Sequence, residues 1–94
     1  MNRHTLTRIS EEAFSDLTRI KQTTNLPHRT IMQLAINRDV SEEDLIRIPV
    51  SKGRKHIRIE RETLNALKTE NKLPVDIARL LSLKIHKLKL EMEV

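Results

Sequence analysis

The pattern of apolar positions repeats between two stretches of the chain, residues 8–36 and 58–83. Three apolar positions align without a gap between them: Ile9 with Ile59, Phe14 with Leu64, and Leu17 with Leu67. Both stretches then contain a Leu-Pro pair followed by an Ile/Leu pair. These pairs align when the second stretch is taken to lack about one helical turn. Each stretch therefore predicts a short strand, a helix, a turn marked by proline and a second helix.

The first stretch gives clear element boundaries. Residues 4–9 alternate, which predicts a strand with Thr5, Thr7 and Ile9 on one side. Ser10 is a good N-cap, and we expect the helix that follows to end near Asn25, since a proline comes two residues later. A second helix is predicted to begin at about residues 27–30. Its expected buried residues are Ile31, Met32, Leu34 and Ala35.

The middle of the chain predicts a short helical turn and a hairpin. Residues 41–44 have the sequence of a capping box. Apolar residues then alternate with polar ones or proline at Ile46, Ile48 and Val50, and again at Ile57 and Ile59. We interpret these two runs as the strands of a hairpin with a basic tip around the single glycine.

Two more helices are predicted after the hairpin. The first covers residue 62 to about residue 70, and the second begins with Pro74 near its first position and runs to about Met92. The apolar surface of this last helix is wide, which predicts contact on two sides, one of them with another subunit. Its expected interface residues are Ile77, Leu81, Ile85, Leu88 and Met92.

The order of strand, helix and helix, found twice, resembles ribbon-helix-helix DNA-binding proteins. The predicted fold class is therefore mainly α with short β-strands (α+β). Two ribbon-helix-helix-like units, at about residues 4–40 and 56–94, are expected within one small oligomerising domain that spans residues 1–94.

Composition excludes several kinds of chemistry. The 94 residues contain no cysteine and one glycine, so neither a thiolate metal site nor a glycine-rich phosphate loop is possible. The four histidines lack metal-ligand spacing, and the acidic pairs suit helix starts. We therefore expect no enzyme activity, no cofactor and no metal. No apolar run is long enough for a membrane span and the start lacks a signal-peptide core, which predicts a cytoplasmic protein without a membrane partner.

The excess positive charge lies in the second half. The net charge is +5, yet basic and acidic residues balance in the first fifty positions. A run without acidic residues leads into the second predicted unit, and its basic residues and histidine are Lys52, Arg54, Lys55, His56 and Arg58. Such a run favours a polyanion, most simply DNA, although a basic surface without a partner has the same composition.

The ribbon-helix-helix resemblance implies where DNA would be contacted. The paired strands enter the major groove with one face, which here would carry Leu6, Arg8, His56 and Arg58. The start of the second helix, His28-Arg29-Thr30, would hold a backbone phosphate. In the second unit Val75-Asp76 occupies that place, and an acid there repels phosphate. We expect the second unit to keep the fold and lose this contact.

A further resemblance covers about forty residues of the first unit. Residues 17–27, followed by Gln33-Leu34-Ala35 and Arg38-Asp39-Val40, are similar to the small DNA-binding subunit of the DNA phosphorothioation (DNA sulfur modification) system. Asn25 stands where that family has a turn glycine. The resemblance implies a protein that binds DNA as an oligomer and supports a modification complex whose catalysis resides in other subunits. Arg19 and Lys21 match its basic helix positions.

Three functions remain in competition. The leading hypothesis is a non-enzymatic DNA-binding accessory protein of the phosphorothioation type. The second is a ribbon-helix-helix transcriptional repressor, and the third is a protein-interaction adaptor whose basic loop binds an acidic partner. Expected partners are double-stranded DNA, further copies of the chain and possible subunits of a modification complex.

Overall fold

The computed structural model describes residues 3–49 and 53–93. Within these ranges the chain forms two strands and five helices. In chain order they are β1 (His4–Ile9), α1 (Glu11–Thr24), α2 (His28–Ile36), α3 (Glu42–Arg47), β2 (Lys55–Glu60), α4 (Arg61–Glu70) and α5 (Ile77–Met92). The prediction of a mainly helical protein with short strands is confirmed.

The two strands pair with each other in an antiparallel ribbon. Thr7 lies opposite Ile57 near the middle of both strands, and Arg8 lies opposite His56. Because side chains alternate along a strand, the ribbon has one face toward the core and one toward solvent. Ile9, Ile57 and Ile59 are all buried on the inner face, as the sequence pattern predicted for Ile9 and Ile59.

The predicted hairpin between residues 46–50 and 57–59 is wrong. Residues 42–47 are helical, because Ser41 and Asp44 form a capping box. The Asp44 amide donates to Ser41 Oγ at 3.4 Å, and the Ser41 amide donates to the Asp44 carboxylate at 2.9 Å. Ile46 is 86% exposed, so the alternation at this point did not reflect burial. Val50 lies outside the described residues.

Both ends of α1 follow from side-chain and backbone caps. Ser10 Oγ accepts a hydrogen bond from the Ala13 amide at 3.0 Å, which confirms the predicted N-cap. At the other end Asn25 has φ 58°, and its amide donates to the Lys21 carbonyl. Asparagine tolerates this left-handed conformation better than most residues do. The predicted end near Asn25 is also confirmed.

The last helix begins at Ile77, three residues later than predicted. Asp76 is its N-cap, and its carboxylate accepts a hydrogen bond from the Arg79 amide at 2.8 Å. A carboxylate at this position satisfies a backbone donor and faces the positive end of the helix dipole. Pro74 therefore belongs to the connection before the helix and not to its first turn.

The core forms around α5, with α1 and α2 packed against it. The described core consists mainly of leucine and isoleucine side chains, and Phe14 remains 37% exposed. Three of the expected interface residues, Leu81, Ile85 and Leu88, are buried in the chain's own core. A second subunit could reach only the partly buried ends of this stripe, Ile77 and Met92. Self-association stays a prediction.

Lysines on α5 form hydrogen bonds with the end of α2, with the connection that follows it and with α3. The Lys84 ammonium donates to the carbonyls of Ile36 at 2.9 Å and Arg38 at 2.5 Å, and Lys87 donates to the Asp44 carboxylate at 2.9 Å. Burial lowers the pKa of Lys84, because its charged form loses hydration. The pKa of Asp44 is lowered by the Ser41 backbone hydrogen bond and then by Lys87.

The central position of α5 predicts a large effect of truncating its buried residues. Ile85→Ala should lower the free energy of unfolding by about 2–5 kcal/mol, the cost of lost burial plus a cavity. Ile46→Ala, at an exposed position, should change it by less than about 0.5 kcal/mol. Urea unfolding of both variants measures the difference. Equal effects would contradict the central role of α5.

The cap at Asp44 predicts a pH dependence. Its lowered pKa means that folding favours the carboxylate, so its stabilisation is present above the usual value of 3.8 and is lost as the pH falls through the folded value. Asp44→Asn should therefore be less stable than the wild type at neutral pH and approach it at acid pH. Urea unfolding at several pH values tests this. A stability difference between Asp44→Asn and the wild type that stays the same at every pH would contradict this role of the carboxylate.

Candidate nucleic-acid interface

The outer face of the ribbon gathers basic side chains from both strands. Its members are His4, Leu6, Arg8, His56, Arg58 and Glu60. All are exposed except the half-buried Glu60, and Leu6 is 62% exposed. The prediction that Leu6, Arg8, His56 and Arg58 point away from the core is confirmed. His4 lies on the same face, as the alternation of residues 4–9 predicts, although it was not among the predicted DNA-binding residues.

The two arginines on this face have different neighbours across the ribbon. Arg8 lies opposite His56, and its Nε donates to His56 Nε2 at 3.3 Å. Arg58 lies opposite Leu6, which has no polar side-chain atom. Beside the first pair, the Lys55 ammonium lies 5.6 Å from the centre of the Phe14 ring, within the range of a cation–π contact. Lys55 has the register of the inner-face isoleucines, and of the two arginines on the outer face only Arg8 has a polar neighbour directly across the ribbon.

The start of α2 lies against one end of the ribbon. His28 Nε2 donates to the Arg58 carbonyl at 3.0 Å, and Arg29 forms an ion pair with Glu60 at 2.9 Å. An open groove of about 480 Å³ lies beside these contacts and is lined by both the helix start and the ribbon. Its lining includes four of the predicted DNA-binding residues, Lys21, His28, Arg29 and Arg58. The fold therefore brings together residues from α1, α2 and β2.

The first turn of α2 keeps its backbone donors available. Its N-cap is Pro27, and in the described part of the chain no side chain caps this helix start. Uncapped N–H groups and the helix dipole together favour an anion at such a position. The start of α5 differs, because Asp76 already accepts a hydrogen bond there. This difference agrees with the expectation that only the first unit offers a phosphate contact.

The other predicted residues that the structure describes do not line this groove. Arg54 and Lys55 are exposed at the beginning of β2, and the Arg54 amide donates to the Ile9 carbonyl at 3.1 Å. Thr30 is half-buried in the first turn of α2. Arg19 is exposed on α1 but does not line the groove. Lys52 lies outside the described residues.

Arg61 is a further basic residue that sequence reasoning missed. It lines an open depression of about 450 Å³ together with His4, Thr5, Leu6 and Arg58. Its backbone amide donates to the Arg3 carbonyl at 2.9 Å, which continues the ribbon contact beyond β2. The signal was its position immediately after the alternating run, because the pairing of β1 with β2 brings that position near the start of β1.

The most buried carboxylate among the described residues has a structural role. Asp16 is 8% exposed, accepts a hydrogen bond from His86 Nδ1 at 3.0 Å and forms an ion pair with Lys89 at 3.3 Å. These contacts join α1 to α5. Within residues 3–49 and 53–93, no group of three His, Cys, Asp or Glu side chains could hold a metal ion.

Comparison of the chain with protein-family models, with curated proteins and with solved structures finds no match. Over the same described ranges, no helix combines the length and the apolar character that crossing a membrane requires.

Proposed function

We propose that the chain is a non-enzymatic protein that binds duplex DNA with its two-stranded ribbon. The observation that carries this proposal is the pairing of β1 with β2 within one chain, with isoleucines on the inner face and arginines on the outer face. The major groove of duplex DNA accommodates a two-stranded ribbon. Arg8 and Arg58 are the main candidates for contact with base edges.

The register of the ribbon supports two related units. Ile9 and Ile59 are fifty positions apart in the sequence repeat, and so are Thr7 and Ile57, which pair directly. Equivalent positions of the two copies therefore meet at the centre of the ribbon, as they would around a local two-fold axis. Each strand is followed by two helices in the order that ribbon-helix-helix proteins have, with α3 as an insertion between the copies.

Phosphate contacts would come from the surroundings of the ribbon. Lys21 and Arg29 line the groove at the start of α2, while Arg54 and Lys55 lie at the beginning of β2. The two pairs lie near opposite ends of the ribbon, because the groove at the start of α2 is lined by Glu60 and the strand β2 begins at Lys55. We propose no catalytic role, because polar groups that could be reactive have structural partners. The His28 ring donates to a backbone carbonyl, and Asp16 is paired with His86 and Lys89.

The proposal predicts salt-dependent binding that requires the two ribbon arginines. Log affinity for a labelled duplex should fall with log salt at a slope of about −0.9 per phosphate contacted. The double variant Arg8→Ala/Arg58→Ala should lose about 1–3 kcal/mol for each arginine that contacts a base. Arg47→Ala removes an exposed arginine of α3, which pairs with Glu43, and should bind like the wild type.

Fluorescence polarisation at several salt concentrations measures both effects. A wild-type protein that binds no duplex at low salt would overturn the proposal and favour the protein-interaction adaptor. Equal losses in the double variant and in Arg47→Ala would show that the ribbon is not the binding surface.

Within this function, we propose that the chain serves as an accessory subunit of a DNA phosphorothioation system. Support comes from the resemblance of residues 17–40 to the small DNA-binding subunit of that system. The structure adds one compatible detail, since Asn25 has the positive φ that a turn glycine in its place would readily adopt. A transcriptional repressor would use the same ribbon, so the distinction depends on the biological process and not on the surface.

Deleting the gene from its host should remove phosphorothioate linkages from the host DNA. The measurement is the loss of iodine-induced cleavage at these linkages, and a wild-type copy should restore it. A copy with Arg8→Ala/Arg58→Ala should restore less than one with Arg47→Ala. Unchanged cleavage after deletion would contradict the accessory role, and altered transcription of neighbouring genes would then favour the repressor.

A further inference from the structure

The outer face of the ribbon departs from two-fold symmetry close to its centre, at the positions that flank the Thr7–Ile57 pair. Arg8 and Arg58 occupy equivalent places in the two copies, and so do Leu6 and His56. Each arginine therefore has a different neighbour opposite it: His56 beside Arg8, and Leu6 beside Arg58. The polar His56 side chain at one end of the face thus corresponds to the aliphatic Leu6 side chain at the other.

These two neighbours suit different base-pair edges. In the major groove an arginine donates to the O6 and N7 atoms of guanine, and an apolar side chain contacts the C5-methyl group of thymine. Leu6 is 62% exposed beside Arg58, so it can make such a methyl contact without any rearrangement of the core. Arg8 is hydrogen-bonded to His56 at 3.3 Å, and a polar ring replaces the methyl contact at that end.

The two ends of the face also differ in the helix start that lies near them. At the Leu6–Arg58 end this is the uncapped start of α2, which adds Lys21 and Arg29, the latter paired with Glu60 at 2.9 Å. At the Arg8–His56 end it is the start of α5, because Gly53 lies between Arg8 and Ala78. A Cβ atom at Gly53 would come within 3.1 Å of the Cβ atoms of both residues. That helix begins with the Asp76 carboxylate, which repels phosphate.

From this asymmetry, which rests on the proposed DNA binding, we infer that one chain recognises a duplex site without two-fold symmetry. The half contacted by Leu6 and Arg58 contains guanine next to thymine, and Leu6 is the residue that selects the thymine through its methyl group. The half contacted by Arg8 and His56 contains guanine without this thymine requirement. Each bound molecule consequently has one direction on the DNA.

Selection from a pool of short random duplexes, with a random region no longer than one ribbon spans, tests the inference. The wild type should enrich a motif whose halves differ, one of them with adjacent guanine and thymine. Replacing that thymine by uracil removes only the methyl group and should lower the affinity about fourfold, the effect of burying one such group. Leu6→Ala should bind the thymine and uracil duplexes equally.

Leu90→Ala is the matched control, since Leu90 is an exposed leucine of α5 at 57% exposure. It should keep the wild-type preference for thymine over uracil. An enriched palindrome, duplex binding without any enriched motif, or a thymine preference that survives in Leu6→Ala would each overturn the inference while the proposed DNA binding stands. Failure of the wild type to bind any duplex would instead overturn the proposed function itself.

Discussion

The burial of α5 between α1 and α2 is the contact on which the other elements depend. Leu81, Leu83 and Ile85 are fully buried, and the core has no large aromatic side chain to replace them. The same helix fixes the end of the ribbon, because Ser82 Oγ accepts a hydrogen bond from the Ser10 amide at 2.9 Å. Ser10 both follows β1 and caps α1. The helix α5, which fills the core, therefore also holds the residue at which β1 ends and α1 begins.

The position of the basic face follows from that burial. Once Ile9, Ile57 and Ile59 are required inside, a period of two residues places Arg8, His56 and Arg58 outside. A slip of the register by one residue would expose the isoleucines and bury the charges, so the apolar contacts select one register strongly. The proposed DNA-binding surface is for this reason a consequence of the core and not of any local preference of the arginines.

Local features of the fold could be predicted from the sequence more reliably than long-range contacts could. The caps of α1, the strand at residues 4–9 and the outward residues could be predicted, because each depends on neighbours along the chain. The hairpin was wrong because the alternation at residues 46–50 did not correspond to burial. The strand at residues 55–60 pairs instead with β1, about fifty positions away, which is the pairing that the ribbon-helix-helix resemblance implied. The stripe on α5 was ambiguous for a related reason: apolar spacing shows that Leu81 and Ile85 are covered, but not whether the covering helix comes from the same chain.

On the ribbon, the two proposed units differ most clearly at exposed positions of the outer face, which the core does not constrain. Ile9 and Ile59 are buried equivalents and remain identical, whereas Leu6 and His56 are exposed equivalents and differ in chemistry. In a symmetric dimer of identical chains, every substitution appears at both ends of the ribbon. When both units belong to one chain, a residue such as Asp76 can alter one end alone. The arrangement proposed for this protein therefore allows a face that distinguishes the two directions of a DNA duplex while a single core supports both halves.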